Sequence, residues 1–249
     1  MKKKRRIKKD PNNMTLLEHI EELRIRLLWI IGGIGVALAV MLNYSEKLIN
    51  LAIAPLQQAL PKGSKIIFTG VTEAFWVRIE AAAVAAVIVS IPFTFYQIWL
   101  FVKPGLKESE KKFAIPFVLA FSFFFISGSV FAYKVVLPLG FKFLLRYGGQ
   151  ELSAMPTIKQ YMSLFLKMIM AFGLVFELPV VSFILARLGI INGKDLLRRF
   201  DYALLIIFFV AAILTPPDVF TQFLMATPLT LLYVISIIIA WIFSTKKES

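Results

Sequence analysis

The sequence contains no cysteine and only one histidine, His19. Without thiols the chain cannot form disulfides, cysteine metal sites or thiol nucleophiles. A single imidazole also excludes a multi-histidine metal site and a two-histidine proton relay. The apolar segments hold no Ser–His pair, no set of two aspartates and no His–Glu metal motif. We therefore expect no enzymatic activity, no metal and no cofactor.

Charged side chains are scarce as well. Only 17% of the 249 residues are charged, whereas 59% are hydrophobic and 24 are phenylalanine. The mean hydropathy of +0.78 leaves too little polar surface to cover a soluble domain. We predict an all-α integral membrane protein. Its apolar runs give six expected spans, at about 27–44, 74–102, 113–133, 161–186, 202–214 and 220–243.

The lysines and arginines indicate the orientation of these spans, because positive residues are retained on the cytoplasmic side. Nineteen of the 28 lie at the amino terminus, in the second–third and fourth–fifth connections and at the carboxyl terminus. In a six-span chain these four places share one side of the membrane. Both termini are therefore predicted to be cytoplasmic.

The net charge of +13 is thus mainly an orientation signal. Attraction to anionic lipid adds about 1 kcal/mol per basic residue near the surface. We expect residues 1–13 to be a basic disordered tail, residues 14–245 the membrane domain and residues 246–249 a cytoplasmic tail. The basic run from Lys2 to Lys9 is not expected to bind nucleic acid, and we assign it no role.

The segment from Met14 to Leu28 predicts a helix that continues into the first span. Thr15 followed by Glu18 fits a capping box. Glu22 and Arg26 are four residues apart, so their side chains can pair on one face of the helix. An interfacial helix laced by ion pairs and a binding surface are both compatible with this pattern.

Two extracytoplasmic segments, 45–70 and 134–160, carry turn residues around short apolar runs and are expected to cap the outer face. Pro55 belongs to the first and Pro138 to the second. The second span that follows the first of them is longer than the hydrocarbon core, so we expect it to tilt or to project outward through Glu73, Arg78 and Glu80.

The fifth run, 202–214, is only about 20 Å long against a hydrocarbon core of about 30 Å, so we expect a locally thinned bilayer. Asp218, with Thr221 three residues later, predicts a helix N-cap.

The fourth span carries Glu177 about ten residues from its cytoplasmic end at Arg187. A charged side chain at a helix centre costs about 2.5–3.5 kcal/mol, so this carboxyl must be protonated, partnered or facing a wet cavity. Pro179 removes a backbone donor and frees the carbonyl of Val175, which makes the same turn polar in its backbone. A structural hydrogen bond to a neighbouring helix, a docking role and a transport role are all open for Glu177.

Several short motifs occur together in this chain. They are His19-Ile20-Glu21-Glu22-Leu23-Arg24-Ile25-Arg26-Leu27, Ala54-Pro55-Leu56, Tyr96-Gln97-Ile98-Trp99 with Phe101 and Pro104, Glu110-Lys111, Phe176-Glu177-Leu178-Pro179, and Thr215-Pro216-Pro217-Asp218-Val219-Phe220-Thr221-Gln222. In this order, with six spans, the sequence resembles the TatC family, the membrane receptor subunits of the twin-arginine protein translocase. The likeness covers nearly the whole chain from Met14.

The resemblance implies a cupped six-helix bundle in the inner membrane of a prokaryote, binding the Arg-Arg signal peptides of folded proteins at its cytoplasmic face. It implies partnership with the single-span proteins TatA and TatB and transport driven by the proton gradient. It also allows this chain to form a homo-oligomer within the receptor complex. The family's recognition glutamates fall on Glu22 and Glu110. We assign Arg24 and Phe101 to the same signal-peptide binding surface. A polar docking site within the membrane is implied at Glu177, Pro179 and Gln222, and structural or extracytoplasmic roles at Pro55 and Asp218.

An ion- or proton-coupled transporter that titrates Glu177 is the alternative, since intramembrane carboxylates mark such pathways. No internal repeat pairs two broken helices in this sequence, and its polar positions are spread over both faces of the membrane. The transporter interpretation is therefore second.

Overall fold

A computed structural model describes residues 16–61, 64–105, 114–146, 155–215 and 218–244. The described residues are almost entirely helical. In chain order the α-helices are α1 (Leu16–Leu42), α2 (Ser45–Ala59), α3 (Glu73–Val102), α4 (Ala114–Phe131), α5 (Leu137–Arg146), α6 (Ile158–Val175), α7 (Leu178–Arg187), α8 (Gly193–Arg198), α9 (Phe200–Leu214) and α10 (Val219–Phe243).

Five helical segments in the described residues are long and apolar enough to cross a membrane: α1, α3, the continuous α4–α5 segment, the α6–α7 segment and α10. The shorter apolar helix α9, which is fifth in chain order, brings the number of spans to six. α1 is one continuous helix from Leu16, as predicted, whereas the capping position Thr15 lies outside the described residues. The largest core cluster lies among α2, α3, α5, α6 and α10, and it includes the fully buried Leu56, Met162, Phe172 and Met225.

The third long helix extends further than the sequence predicts. We expected an external segment from Lys134, but α4 continues through a π-helical turn at Ala132–Val136 into α5. In a regular helix the ring of Pro138 would clash with the carbonyl of Lys134. In the wider turn the N–H of Leu137 instead donates to the carbonyl of Ala132, so the helix passes the proline without ending. The predicted turn at Gly148 lies outside the described residues.

The fourth span is interrupted rather than merely kinked. α6 ends at Val175 and α7 begins at Leu178, with Pro179 in its first turn, where a missing N–H costs nothing. Between the two helices, the N–H of Glu177 donates to the carbonyl of Leu174 at 3.1 Å. Glu177 therefore occupies the break itself.

The two external segments are joined by Glu73. Its carboxylate accepts hydrogen bonds from the backbone N–H groups of Thr69 at 2.7 Å, Gly70 at 3.1 Å and Lys159 at 2.9 Å. The Thr69 hydroxyl adds a fourth at 3.2 Å. Although it begins α3, Glu73 is only 6% exposed, because these donors surround its carboxylate. Its charge lies at the amino terminus of α6, where the helix dipole favours an anion.

A short parallel bridge runs beside this carboxylate and completes the connection. Ile67 donates its N–H to the carbonyl of Pro156, and Ile158 donates to the carbonyl of Ile67. The first external segment is thus tied to the start of the fourth span, and the predicted caps form one layer.

Pro55 lies inside α2 and is buried. Because proline has no N–H, the carbonyl of Leu51 one turn earlier has no donor within the helix. The hydroxyl of Tyr133 donates to that carbonyl at 2.9 Å, and the hydroxyl of Tyr161 donates to the neighbouring carbonyl of Ala52. Two tyrosines from the third and fourth spans therefore hold the external helix at its proline.

Candidate functional site

The cytoplasmic ends of α1 and α3 meet in a charged cluster. Arg26 donates from Nη2 to Oε1 of Glu22 at 3.2 Å and from Nη1 to the side-chain oxygen of Gln97 at 3.3 Å. The predicted pairing of Glu22 and Arg26 on one helix face is therefore confirmed. Gln97 is only 6% exposed, so its amide is fixed among the aromatic residues that end α3.

Two atoms of this cluster lack hydrogen-bond partners among the described residues, namely Oε2 of Glu22 and Nε of Arg26. Both are buried although the two side chains keep 16% and 26% of their surface exposed. Unpaired buried polar atoms are costly, so they mark a place where a further donor or acceptor would stabilise the arrangement. Oε2 of Glu22 is thus a buried acceptor without a donor among the described residues.

Aromatic stacking sets the position of this cluster. The ring of His19 stacks on Phe101 with centroids 4.3 Å apart and an interplanar angle of 17°. Below it, Trp99 packs against Phe117 and Phe95 against Phe121. Arg24 is exposed on the outer side of α1. Phe101 thus borders the surface on which Glu22 lies, while Arg24 points away from the ion pair.

The second predicted recognition glutamate, Glu110, lies outside the described residues, as do Lys111 and Lys112. Its juxtaposition with Glu22 therefore stays a prediction. α3 is followed by a 3₁₀ turn at Lys103–Gly105, and α4 begins at Ala114, so Glu110 belongs to the connection between these helices.

The second polar position is Glu177, in the middle of the membrane. Its side chain is 6% exposed, and neither carboxylate oxygen has a hydrogen-bond partner among the described residues. The backbone of Phe125 on α4 lies close enough to act on it electrostatically. One turn before Phe125, the buried hydroxyl of Ser122 is also without a partner. The third and fourth spans therefore enclose unpaired polar groups.

Glycines bring these spans unusually close. A Cβ at Gly128 would lie 2.3 Å from the carbonyl oxygen of Phe172, and one at Gly173 would lie 2.7 Å from the ring of Phe125. Only glycine permits this approach, as in other close helix crossings in membranes. The crossing holds Phe176 against α4, and Glu177 follows it directly.

The remaining predicted residues are occupied within the chain. Asp218 is the N-cap of α10 and accepts from the N–H of Thr221 at 2.7 Å and from its hydroxyl, so the N-cap prediction is confirmed. Gln222 donates to the carbonyl of Phe208 on α9 at 3.1 Å. Pro216 and Pro217 lie outside the described residues. No group of three or more potential metal ligands occurs within the described part of the chain.

Sequence reasoning missed two residues that organise these sites. Gln97 was recognised only as part of an aromatic motif, although a single amide among Tyr, Trp and Phe residues indicates a specific hydrogen bond. Glu73, which joins the external segments, was interpreted only as part of a helix end that could project beyond the hydrocarbon core. Its clue was the preceding Thr69-Gly70, whose free N–H groups suit a carboxylate three or four residues later.

Comparisons with known proteins agree along nearly the whole chain. A family model described as TatC, Sec-independent protein translocase protein, matches residues 18–228. A protein from Desulforapulum autotrophicum named Sec-independent protein translocase protein TatC is 44% identical over 232 residues, covering 93% of this chain and 86% of its own. The protein of that name from Carboxydothermus hydrogenoformans is 42% identical over 237 residues, covering 95% and 96%.

Two solved structures share this fold. One is a crystal structure of the twin-arginine translocase receptor TatC, with a TM-score of 0.81, 36% identity, and coverage of 89% of this chain and 97% of the other. The second, of the same receptor in the detergent DDM, gives a TM-score of 0.82 at 35% identity and covers 89% and 99%.

Proposed function

This chain belongs to the TatC family of Sec-independent protein translocase proteins, and on that premise we propose that it is the receptor that binds the Arg-Arg signal peptides of folded proteins. It is a multi-pass protein of a prokaryotic inner membrane with six spans and cytoplasmic termini, as the sequence predicts. The observation that carries the proposal is the carboxylate of Glu22 at the cytoplasmic end of α1, one oxygen of which has no partner among the described residues.

The chemistry of a guanidinium ligand supports this assignment. Guanidinium groups are planar, stay charged and donate two parallel N–H bonds to a carboxylate. Two consecutive arginines therefore require two separate acidic groups, for which Glu22 and Glu110 are the proposed pair. Phe101 borders the same surface, where its ring stacks on His19.

Binding of a labelled Arg-Arg signal peptide to the purified protein tests the proposal. Charged hydrogen bonds are worth about 1.5–3 kcal/mol each, so Glu22→Gln or Glu110→Gln should weaken binding roughly 10- to 100-fold. Glu110→Lys should weaken it further by repulsion. Glu21→Gln is the matched control, because Glu21 is the exposed neighbour on the same helix. Unchanged affinity in all of the Glu22 and Glu110 variants, with folded protein, would reject the assignment.

We further propose that the intramembrane site at Glu177 docks a partner helix or an inserting signal peptide. Its unpaired carboxylate needs a donor that the described residues do not supply. Pro179 keeps the turn open, and Gln222 on α10 adds a second polar position. The partners implied are the single-span proteins TatA and TatB, with the proton gradient driving transport. Recovery of single-span proteins in a pull-down would support this assembly.

The buried, unpaired carboxyl of Glu177 is also the one observation that favours an ion- or proton-coupled transporter. The two functions separate in liposomes containing the purified protein. Ion flux in the absence of any substrate protein supports the transporter, whereas binding of an Arg-Arg peptide without flux supports the receptor.

A further inference from the structure

The crossing of the third and fourth spans places Ser122 opposite Glu177. These spans follow one another in the chain, so α4 and α6 run in opposite directions across the membrane. The hydroxyl of Ser129 on α4 donates to the carbonyl of Ile169 on α6 at 3.4 Å. Ser122 lies seven residues before Ser129, close to two full turns, so it faces the fourth span as well. The residues that come level with it lie seven or eight positions after Ile169, and these are Phe176 and Glu177.

The backbone of Phe125 supports the same placement independently. It lies close enough to Glu177 to act on the carboxyl electrostatically. In a helix, a backbone N–H can be reached by the side chain of the residue three positions earlier, as at helix N-caps. For Phe125 that earlier residue is Ser122. A carboxyl beside the N–H of Phe125 therefore lies beside the side chain of Ser122.

The hydroxyl of Ser122 is not used by its own helix. Hydroxyls within helices commonly donate to the carbonyl three or four residues earlier. In the described helices this contact is made by Ser90, Thr227, Thr230 and Ser236. Ser122 is only 7% exposed, yet its hydroxyl has no partner among the described residues. A buried hydroxyl without a partner is costly, so this group needs an acceptor nearby.

We propose that Ser122 is a positioning residue of the Glu177 site: its hydroxyl donates to one oxygen of the Glu177 carboxyl and leaves the other oxygen for an incoming segment. The inference rests on the proposed docking role of Glu177 and adds a second residue to that site. The hydroxyl reaches the carboxyl by rotation about the Cα–Cβ bond of Ser122, between staggered positions, without movement of the backbone. A carboxyl that is already held by one bond loses less freedom when a partner docks.

Infrared spectroscopy of the purified protein tests the hydrogen bond in the absence of any partner. The difference spectrum between the unaltered protein and Glu177→Gln isolates the carboxyl band of Glu177. A hydrogen bond to a carboxyl oxygen weakens its carbon–oxygen bond, so this band should lie at a different wavenumber when both proteins also carry Ser122→Ala. Ser129→Ala is the matched control and should leave the band in place, because this buried serine on the same face of α4 donates to Ile169 instead.

Recovery of a single-span partner tests the positioning. From membranes that also contain TatA and TatB, tagged Ser122→Ala protein should recover about two- to tenfold less partner than the unaltered protein, the effect of about one hydrogen bond. Ser122→Cys keeps a weak donor and should give an intermediate recovery. In a Glu177→Leu background, Ser122→Ala should cause no further loss, because the hydroxyl then has no carboxyl to hold. Ser129→Ala should recover as much partner as the unaltered protein does.

The outcomes separate the two proposals. A carboxyl band that stays in place in folded Ser122→Ala overturns the positioning role and leaves docking at Glu177 standing. Full recovery by Ser122→Ala, or an equal loss in Ser129→Ala, also overturns it when Glu177→Leu reduces recovery. If Glu177→Leu recovers as much partner as the unaltered protein, the docking role fails and the positioning role fails with it. Should Ser122→Ala not fold, the same two measurements on Ser122→Cys decide the matter.

Discussion

Glu177 shows what a single residue contributes when the backbone around it is fixed. The glycines at 128 and 173 leave no room for the spans to shift, and Pro179 keeps the helix interrupted beside it. The carboxyl cannot move to water, since it lies about ten residues from the cytoplasmic end of the span. Its two oxygens, which have no partner among the described residues, therefore stay within this turn.

Substitutions at Glu177 should separate hydrogen bonding from packing. Glu177→Gln keeps a polar group of the same shape, whereas Glu177→Leu leaves the incoming partner group unsatisfied at a cost of about 1–3 kcal/mol. Export of a twin-arginine substrate in a strain depending on this protein should therefore be reduced more by Leu than by Gln. Wild-type export by both variants would show that Glu177 has no part in docking.

At the scale of secondary-structure elements, α2 depends on residues from other spans. Its proline leaves the carbonyl of Leu51 without a helical donor, and Tyr133 supplies that donor from the third span. The effect of Tyr133 on the free energy of unfolding should therefore depend on whether residue 55 is a proline.

A double-mutant cycle measures this coupling. Tyr133→Phe should lower the free energy of unfolding by about 1 kcal/mol, because the carbonyl of Leu51 loses its hydrogen bond. With Pro55→Ala the new N–H of residue 55 pairs with Leu51, so the same Tyr133→Phe change should cost much less. Thermal unfolding of the four proteins in detergent gives the coupling energy. Equal costs in both backgrounds would contradict the interpretation.

The comparison of sequence with structure also belongs to the scale of elements. Hydropathy and local spacing predicted the six spans, the Glu22–Arg26 pair and the Asp218 cap, because each depends on residues within a few positions of one another. The end of the third helix was wrong, since Pro138 was interpreted as a turn residue, while the π turn before it accommodates the ring. Glu73 was missed because its partner Lys159 is 86 residues away.

For the whole molecule, the spans differ markedly in length. α3 has 30 residues and is about 45 Å long at 1.5 Å per residue, whereas α9 has 15 and is about 22 Å long. The hydrocarbon core is about 30 Å thick, so the bilayer has to be thinner beside α9 than beside α3.

Bilayer thickness should therefore affect this protein measurably. In short-chain phosphatidylcholine the core matches α9 more closely, and we expect a higher unfolding temperature than in long-chain phosphatidylcholine. Lengthening α9 by four leucines after Phe209, which is exposed, should shift the optimum toward thicker bilayers. The same insertion in α3 after the exposed Val89 is the control, because that helix already exceeds the core. An unfolding temperature that does not change with the acyl-chain length of the lipid would contradict this view.

The carboxylate of Glu73 has a consequence for biogenesis. Spans enter the membrane in order of synthesis, and Glu73 emerges with the second span while the N–H of Lys159 arrives only with the fourth. Until then the anion has only its local partners Thr69 and Gly70. The outer layer is therefore completed only after the second, third and fourth spans have all been synthesised. In a chain stalled on the ribosome before residue 159, we expect this layer to be accessible to protease.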